Sequence, residues 1–216
     1  MDERNSLYEL QQSRNGLTVP VINNVYLHSI YNPQKEAESF AETHLKNLKF
    51  KNHVLILGLG FGYHVEKIAA AMKTFHDNYQ IYVIEPNEKL VNDFKEYKGF
   101  EDKNIQIIQT TKTKDLFGKL SFIDFLMNKP CILKHDPSFI LEKEFFSSFL
   151  SYTAPSDFIN YKSLLTDRSK MLFENAEARS FHTRVEEIKS TRKIVESRDF
   201  LTLALNEVKS INTQGK

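Results

Sequence analysis

The stretch His53-Val-Leu-Ile-Leu-Gly-Leu-Gly-Phe-Gly-Tyr-His64 decides the predicted fold of this chain. Val54 to Leu57 is an apolar run of branched side chains, which is typical of a strand buried on both faces. Three glycines follow, and apolar residues then recur at the spacing of one helix face. Downstream, the apolar run Ile81 to Ile84 ends on Glu85, which indicates a second strand with a terminal acid. We therefore predict an α/β fold, a Rossmann-like parallel sheet with flanking helices.

The glycine turn is the predicted ligand site. Gly58, Gly60 and Gly62 alternate there, and a backbone without Cβ atoms can turn sharply and approach a ligand closely. The helix expected to begin near Tyr63 would point unpaired N–H groups at the same place, and Glu85 could accept the hydroxyls of a ribose. The alternative is that the glycines only allow the helix and the strand to pack closely.

The spacing of the glycines separates two classes of ligand. A dinucleotide fingerprint, G-x-G-x-x-G, would need glycine where this chain has Tyr63. The observed G-x-G-x-G resembles the loop of class I S-adenosylmethionine (SAM) methyltransferases from about Val54 to Glu85. That family commonly has an acidic residue two positions before the first glycine, where this chain has Ile56. The resemblance implies a nucleoside-like ligand such as SAM.

Further strands are predicted at Ile105 to Ile108 and Cys131 to Leu133, and polar residues follow each of them. Thr110 lies at the carboxyl end of the first, where it either reaches the ligand or caps the next helix. His135 and Asp136 follow the second and are the candidate catalytic pair, because a histidine there can transfer a proton near neutral pH. The alternative is that Asp136 only opens the next helix. The predicted cofactor-binding residues are Gly58, Gly60, Gly62, Tyr63, His64, Glu85 and Thr110.

The amino-terminal part of the chain is predicted to be a polar lead-in over residues 1 to 15, helical or frayed, followed by a small β-hairpin. The hairpin is formed by Leu17 to Val21 and Val25 to Ile30, and Pro20 indicates that its first strand is an edge strand. Asn32-Pro33 then predicts the start of a helix of about 16 residues.

Three segments, taken in order, resemble the amino-terminal region of the motility accessory factor (Maf) family. They are Leu27-His-Ser-Ile-Tyr-Asn-Pro-Gln-Lys-Glu-Ala37, Ile56-Leu-Gly-Leu-Gly-Phe-Gly-Tyr-His64 and Ile84-Glu-Pro86, and the resemblance covers roughly residues 17 to 155. That family is linked to glycosylation of bacterial flagellin, often with nonulosonic acid sugars. The resemblance implies a nucleotide or nucleotide-sugar ligand, and flagellin or a separate transferase domain as partner.

The transferase chemistry of that family is attributed to a central domain with a Gly-Pro-Ser loop, and this sequence contains no Gly-Pro-Ser. The chain is therefore a free-standing relative of the amino-terminal domain, a truncated protein, or a protein with a different task. Two functions stay open: a binding module for a nucleotide or nucleotide-sugar, and a SAM-dependent methyltransferase. A scaffold with a vestigial pocket is a third.

Composition excludes several classes of function. Lys and Arg number 29 against 28 Asp and Glu, so no global charge favours nucleic acid. One cysteine, Cys131, excludes an internal disulfide, and the histidines show no shared metal spacing, so no metal site is predicted. No apolar stretch is long enough for a membrane span, and we expect a cytoplasmic protein.

The composition changes after Pro155. No proline follows it and no glycine occurs before Gly215, which predicts two long helices over 157–180 and 183–210. We therefore predict a Rossmann-like domain over residues 1–155 and a helical extension over 156–216. The extension either covers the sheet edge, forms a homodimer or connects to a further domain.

Overall fold

The computed structural model describes residues 7–153, 180–191 and 202–206. The chain divides into two compact units, residues 1–154 and 155–216. The first unit contains two sheets, a three-stranded antiparallel sheet and a four-stranded parallel sheet with helices around it. None of the helices described is long and apolar enough to cross a membrane.

The small sheet has the order β1-β2-β3, formed by Tyr8–Gln12, Thr18–Ile22 and Val25–Tyr26. The hairpin between β2 and β3 is confirmed, and its turn uses two asparagines with positive φ, as such short turns require. The prediction of a helical or frayed lead-in is wrong for Tyr8–Gln12, because these residues form β1 and pair with β2 in the register Tyr8↔Ile22. Residues 1–6 lie outside the described part of the chain.

Pro20 lies on the central strand of this sheet, so its prediction as an edge residue is wrong. Its carbonyl accepts the N–H of Leu27, and Pro20 pairs with Leu10 on the other side. In an antiparallel strand the N–H and C=O of one residue point to the same side, so an N–H at position 20 would point toward the β3 side. Only Val21 and Ile22 pair with β3, so position 20 lies just beyond that pairing. Proline is therefore accommodated without loss of a bond to β1.

The parallel sheet has the order β6-β5-β4-β7, which is 3-2-1-4 in order of appearance along the chain. This is the strand order of the Rossmann-like fold as far as four strands go, with the topological switch point between β4 and β7. The strands are β4 His53–Leu57, β5 Gln80–Glu85, β6 Ile105–Gln109 and β7 Cys131–Lys134.

Seven helices of the first unit connect and flank the strands. They are α1 Pro33–Leu48, α2 Tyr63–Phe75, α3 Glu88–Tyr97, α4 Thr113–Phe117, α5 Leu120–Met127, α6 Asp136–Leu141 and α7 Lys143–Leu150. The start of α1 is confirmed, because the side chain of Asn32 accepts the N–H of Lys35 at 3.0 Å. Gly118 and Lys119 separate α4 from α5, and the helix after Asp136 is divided at Glu142.

Alternate residues of the central strands face two separate cores. Val54 and Ile56 of β4 face a cluster that includes buried residues of α1, α2 and α3. Leu55 and Leu57 face the opposite cluster, where α4, α5 and α7 supply aromatic and aliphatic side chains. The strands are thus buried on both faces, as expected for a parallel sheet.

The second unit contains the helix α8, Phe181–Thr191, and residues 202–206 are also helical. The predicted helix over 157–180 lies outside the residues that the structure describes. The predicted homodimer through these helices therefore stays a prediction.

Candidate functional site

The glycine turn is packed against side chains of the protein itself. A Cβ atom on Gly60 would lie 2.5 Å from Nε2 of His28 and 2.9 Å from Cε1 of His135. A Cβ on Gly62 would lie 2.6 Å from the ring of Phe94, and all three glycines have positive φ. The glycines therefore permit close packing, and the neighbours that they admit are side chains. This is close to the alternative that the glycines only allow close packing. The neighbours, however, are side chains of histidine, serine and phenylalanine, whereas the alternative named the helix and the strand.

Glu85 points at the turn, as predicted, and each oxygen of its carboxylate already accepts one backbone N–H. Oε2 accepts the N–H of Leu59 at 2.8 Å, and Oε1 accepts the N–H of Asn87 at 3.0 Å. The space beside it is only about 10 Å³ and is enclosed by residues such as Leu27 and Ser138. In this conformation no ribose has room to reach Glu85.

Burial sets the protonation of Glu85. The side chain is 2% exposed, and this desolvation raises its pKa to about 7. The two backbone N–H donors act in the opposite direction, because they stabilise the carboxylate. Glu85 is therefore an acid that titrates near neutral pH inside the fold.

Three buried histidines meet beside the glycine turn. His28 follows β3, His64 lies in the first turn of α2, and His135 follows β7. One ring nitrogen of each lies within 4.8 Å of those of the other two. The rings of His64 and His135 are stacked at 4.2 Å with an angle of 5° between their planes. The cluster thus joins three elements distant in the sequence.

The hydrogen bonds define the tautomers of two of these rings. Nε2 of His28 accepts the N–H of Phe61 at 2.8 Å, so the proton is on Nδ1, which lies 3.3 Å from Oε2 of Glu36. Nε2 of His64 lies 3.2 Å from the carbonyl oxygen of Gly58 and must donate to it. Nδ1 of His64 consequently carries a lone pair, and it has no hydrogen-bond partner.

The surroundings of all three histidines disfavour the charged imidazolium form. Burial lowers the pKa of His28, and it holds the pKa values of His64 and His135 well below the ordinary value. The neighbouring histidines lower the pKa of His64 and His135 further. The predicted role of His135 in proton transfer near neutral pH is not favoured by this environment, because its protonated form is destabilised.

A cavity of about 240 Å³ opens beside the cluster. It is lined by His28, Glu36, Ala37, Phe40, His64, His135, Asp136 and Pro137. It therefore lies at the carboxyl ends of β4 and β7, at the switch point where ligands of this fold class bind. The burial of Glu36 and its bonds to His28 and Ser29 act on its pKa in opposite directions, and the bonds prevail, so the pKa is lowered and the carboxylate is ionised.

The hydroxyls of two predicted site residues are hydrogen-bonded within the fold. The hydroxyl of Tyr63 donates to the carbonyl oxygen of Thr18 at 2.9 Å, which ties the ring to β2. Thr110 accepts the N–H of Lys112 at 3.1 Å and contacts Asp115, so its hydroxyl organises the turn before α4. Asp136 is in the first turn of α6, as the alternative had it, and it also lines the cavity.

His28 and Glu36 were missed as site residues by sequence reasoning. Both lie in the segment 27–37 that carries the Maf resemblance, and that segment was the available signal. The spacing of the histidines along the chain gave no signal of a site, because the three histidines come from separate elements.

A larger hollow of about 330 Å³ lies elsewhere, between α2 and the residues before β6. Four of its five charged side chains form two ion pairs, Lys98 with Glu66 at 2.8 Å and Lys73 with Asp102 at 3.1 Å. Because these paired charges neutralise each other, the hollow has fewer groups available to bind a ligand than the histidine cavity has.

No family model matches the sequence, and no curated protein sequence matches it either. The resemblance to the Maf family therefore stays a prediction. Some solved structures are similar to part of this chain. MNMC2 from Aquifex aeolicus is 14% identical over 53% of this chain and 46% of its own, with a TM-score of 0.35.

Two spermidine synthase structures are similar to a comparable extent. The enzyme from Thermotoga maritima is 12% identical over 61% of this chain and 51% of its own, with a TM-score of 0.44. A second, in complex with the transition-state analogue AdoDATO, is 14% identical over 55% of this chain and 40% of its own, with a TM-score of 0.42. The matched regions span about half of these proteins, so the function has to follow from the geometry of the site itself.

Proposed function

We propose that this chain binds a small polar ligand, of about the size of a sugar ring, in the cavity beside the three histidines. The observation that carries the proposal is the position of the cavity at the switch point between β4 and β7. Its volume of about 240 Å³ is below the 300 to 1,000 Å³ usual for drug-sized ligands, so a whole nucleotide-sugar does not fit inside. The sugar part of one does.

The chemistry of the cavity suits hydroxyl groups. The carboxylates of Glu36 and Asp136 can accept hydrogen bonds, the imidazoles can donate or accept, and Phe40 supplies an apolar ring. These groups bind and orient a polyhydroxylated molecule, which agrees with the nucleotide-sugar ligand that the Maf resemblance implies. No step of sugar transfer is assigned to them.

Calorimetry with free monosaccharides, CMP-sugars and UDP-sugars, in the presence of a chelator, tests the proposal. We expect binding that weakens about 10- to 100-fold in Asp136→Asn, the range for a hydrogen bond to a charged group of about 1.5 to 3 kcal/mol. The control is Glu66→Gln in the other hollow, which should leave the affinity unchanged. Absence of binding by every sugar, or an equal loss in the control, contradicts the proposal.

SAM-dependent methyl transfer is the second candidate. It is favoured by the strand order and by the position of Glu85 at the end of β5, facing the glycine turn. SAM would require the chain around Leu27 to move, because the space beside Glu85 is filled. Asp136 would then position or deprotonate an acceptor in the cavity, since methyl transfer depends mainly on alignment.

The same calorimetry with SAM and S-adenosylhomocysteine tests this candidate. Binding that is lost in Glu85→Gln, with the fold intact by circular dichroism, supports it. Substitution of Gly60 is not a clean test, because any side chain there collides with His28 whether or not a ligand binds.

A further inference from the structure

We propose that His28, His64 and His135 form a binding site for a transition-metal ion, zinc above all, at the wall of the cavity. Each supplies one ring nitrogen, and these nitrogens lie within 4.8 Å of one another. The proposal is independent of the sugar ligand, since the metal is expected to bind without it. Among the residues that the structure describes, no other group of histidines, cysteines and carboxylates comes together in this way.

The free nitrogen of His64 is the observation that points to a ligand. The residue is 1% exposed, its Nε2 donates to Gly58, and its Nδ1 has no hydrogen-bond partner. A buried polar atom without a partner costs free energy, and nearly all such atoms in folded proteins are satisfied by protein, water or an ion. A metal ion would satisfy this one.

The ligands are held from behind, as metal-binding histidines usually are. Nδ1 of His28 faces the carboxylate of Glu36 at 3.3 Å. Nδ1 of His135 lies 2.8 Å from the hydroxyl of Ser138. A carboxylate behind a ligating histidine fixes its tautomer and orientation and raises its basicity. With its proton held on Nδ1 by Glu36, His28 presents a lone pair at Nε2.

Metal binding requires a small contraction of the cluster. Nitrogens at about 2.0 to 2.1 Å from a tetrahedral zinc ion lie roughly 3.3 Å from one another. The rings must therefore move together from their present separation of up to 4.8 Å, and the stacked pair must tilt so that its lone pairs converge. Nε2 of His28 must also give up the hydrogen bond that it accepts from the N–H of Phe61 in order to bind the metal.

The ligand set selects the class of metal. Three imidazoles with no thiolate suit zinc, copper, nickel or cobalt rather than magnesium or calcium, which prefer oxygen. The cavity beside the cluster leaves room for a fourth ligand, water or an oxygen of a bound molecule. Three protein ligands with an open position are typical of catalytic zinc sites, in contrast to structural ones.

Zinc titration of the purified full chain tests the proposal, by calorimetry and by metal analysis after dialysis. We expect one zinc per chain, and at least 100-fold weaker binding in His64→Gln and in His135→Gln. His53→Gln is the matched control, because His53 lies at the start of β4, outside the cluster. X-ray absorption of the zinc-loaded protein should show three nitrogen ligands at about 2.0 to 2.1 Å.

A second variant covers the case in which the buried glutamines prevent folding. Glu36 lies near the exposed start of α1, and Glu36→Ala should weaken zinc binding about 10- to 100-fold, the usual effect of losing such a supporting group. The proposal is overturned if wild type does not bind zinc, if His53→Gln weakens binding as much as His64→Gln does, or if the absorption spectrum lacks the three nitrogens.

Discussion

At the scale of single residues, the glycine turn shows how a residue without a Cβ atom leaves space for neighbouring side chains. Gly60 has a φ of +53°, and the space that its missing Cβ would fill is taken by His28 and His135. Two costs therefore fall on any replacement: the unfavourable backbone conformation and the steric overlap.

The two costs can be separated by a matched pair of variants. Gly16 also has a positive φ, of +80°, but nothing lies within 4 Å of where its Cβ would be. We expect Gly16→Ala to lower the free energy of unfolding by about 1 to 2 kcal/mol from backbone strain alone. Gly60→Ala should lose a further 1 to 3 kcal/mol, roughly, from overpacking. Urea denaturation measures both, and equal losses would show that His28 and His135 move aside freely.

Glu85 gives the protein a dependence on pH with a definite sign. Its pKa is raised from 4.5 in the unfolded chain to about 7 in the fold, so the folded state binds the proton more tightly. Stability from this group is present at low pH and is lost as the pH rises through about 5 to 7. Between pH 5 and pH 8 the loss amounts to about 2 to 3 kcal/mol.

Comparison with Glu85→Gln isolates this effect, because the buried histidines titrate in both proteins. The variant lacks the titrating group, so the stability of wild type relative to it should fall by about 2 to 3 kcal/mol from pH 5 to pH 8. Denaturant titrations at the two pH values measure the difference. A constant difference would mean that Glu85 keeps an ordinary pKa.

At the scale of elements, the order of strands and helices followed from the sequence because the apolar runs are clear. The runs at Val54 and Ile81 predicted buried strands, and Asn32-Pro33 predicted the start of α1. The strand β1 was missed because only Tyr8 and Leu10 of its five residues are apolar. Its pairing with β2 is a tertiary effect that no local pattern encodes.

The site was harder to predict than the fold, for a physical reason. Glu85 was correctly placed at the turn, but the residues that fill the crevice come from the segments after β3 and β7. The meeting of His28, His64 and His135 depends on how the small sheet lies over the parallel one. Spacing along the chain holds no information about that contact.

The helix α1 carries Glu36 and Phe40 to the cavity, and its first turn depends on Asn32. The side chain of Asn32 accepts the N–H of Lys35, so Asn32→Ala leaves that donor without its cap. We expect a loss of about 0.5 to 2 kcal/mol in the free energy of unfolding. Glu42→Ala, at an exposed position in the middle of the same helix, is the control and should be nearly neutral. An equal effect of the two in urea denaturation would show that the cap contributes nothing.

At the scale of the whole molecule, the described sheets, hydrophobic clusters and candidate site all belong to the first of the two compact units. Among the residues that the structure describes, every strand of both sheets lies between residues 8 and 134, and both hydrophobic clusters consist of residues from the first unit. The three histidines and the cavity lie there as well. The first unit thus has the components of an independent domain, and its length is usual for one.

We therefore expect a fragment of residues 1–154 to fold without the second unit. Because the described residues of both core clusters lie within it, its thermal unfolding by circular dichroism should be a single cooperative transition, as for most domains of this size. It should also bind zinc with the affinity of the full chain if the three histidines are the ligands. The full chain, measured in parallel, is the reference for both quantities. A fragment that melts without cooperativity would show that the second unit contributes to the core, whereas a fragment that folds but has lost its zinc would place part of the metal site beyond residue 154.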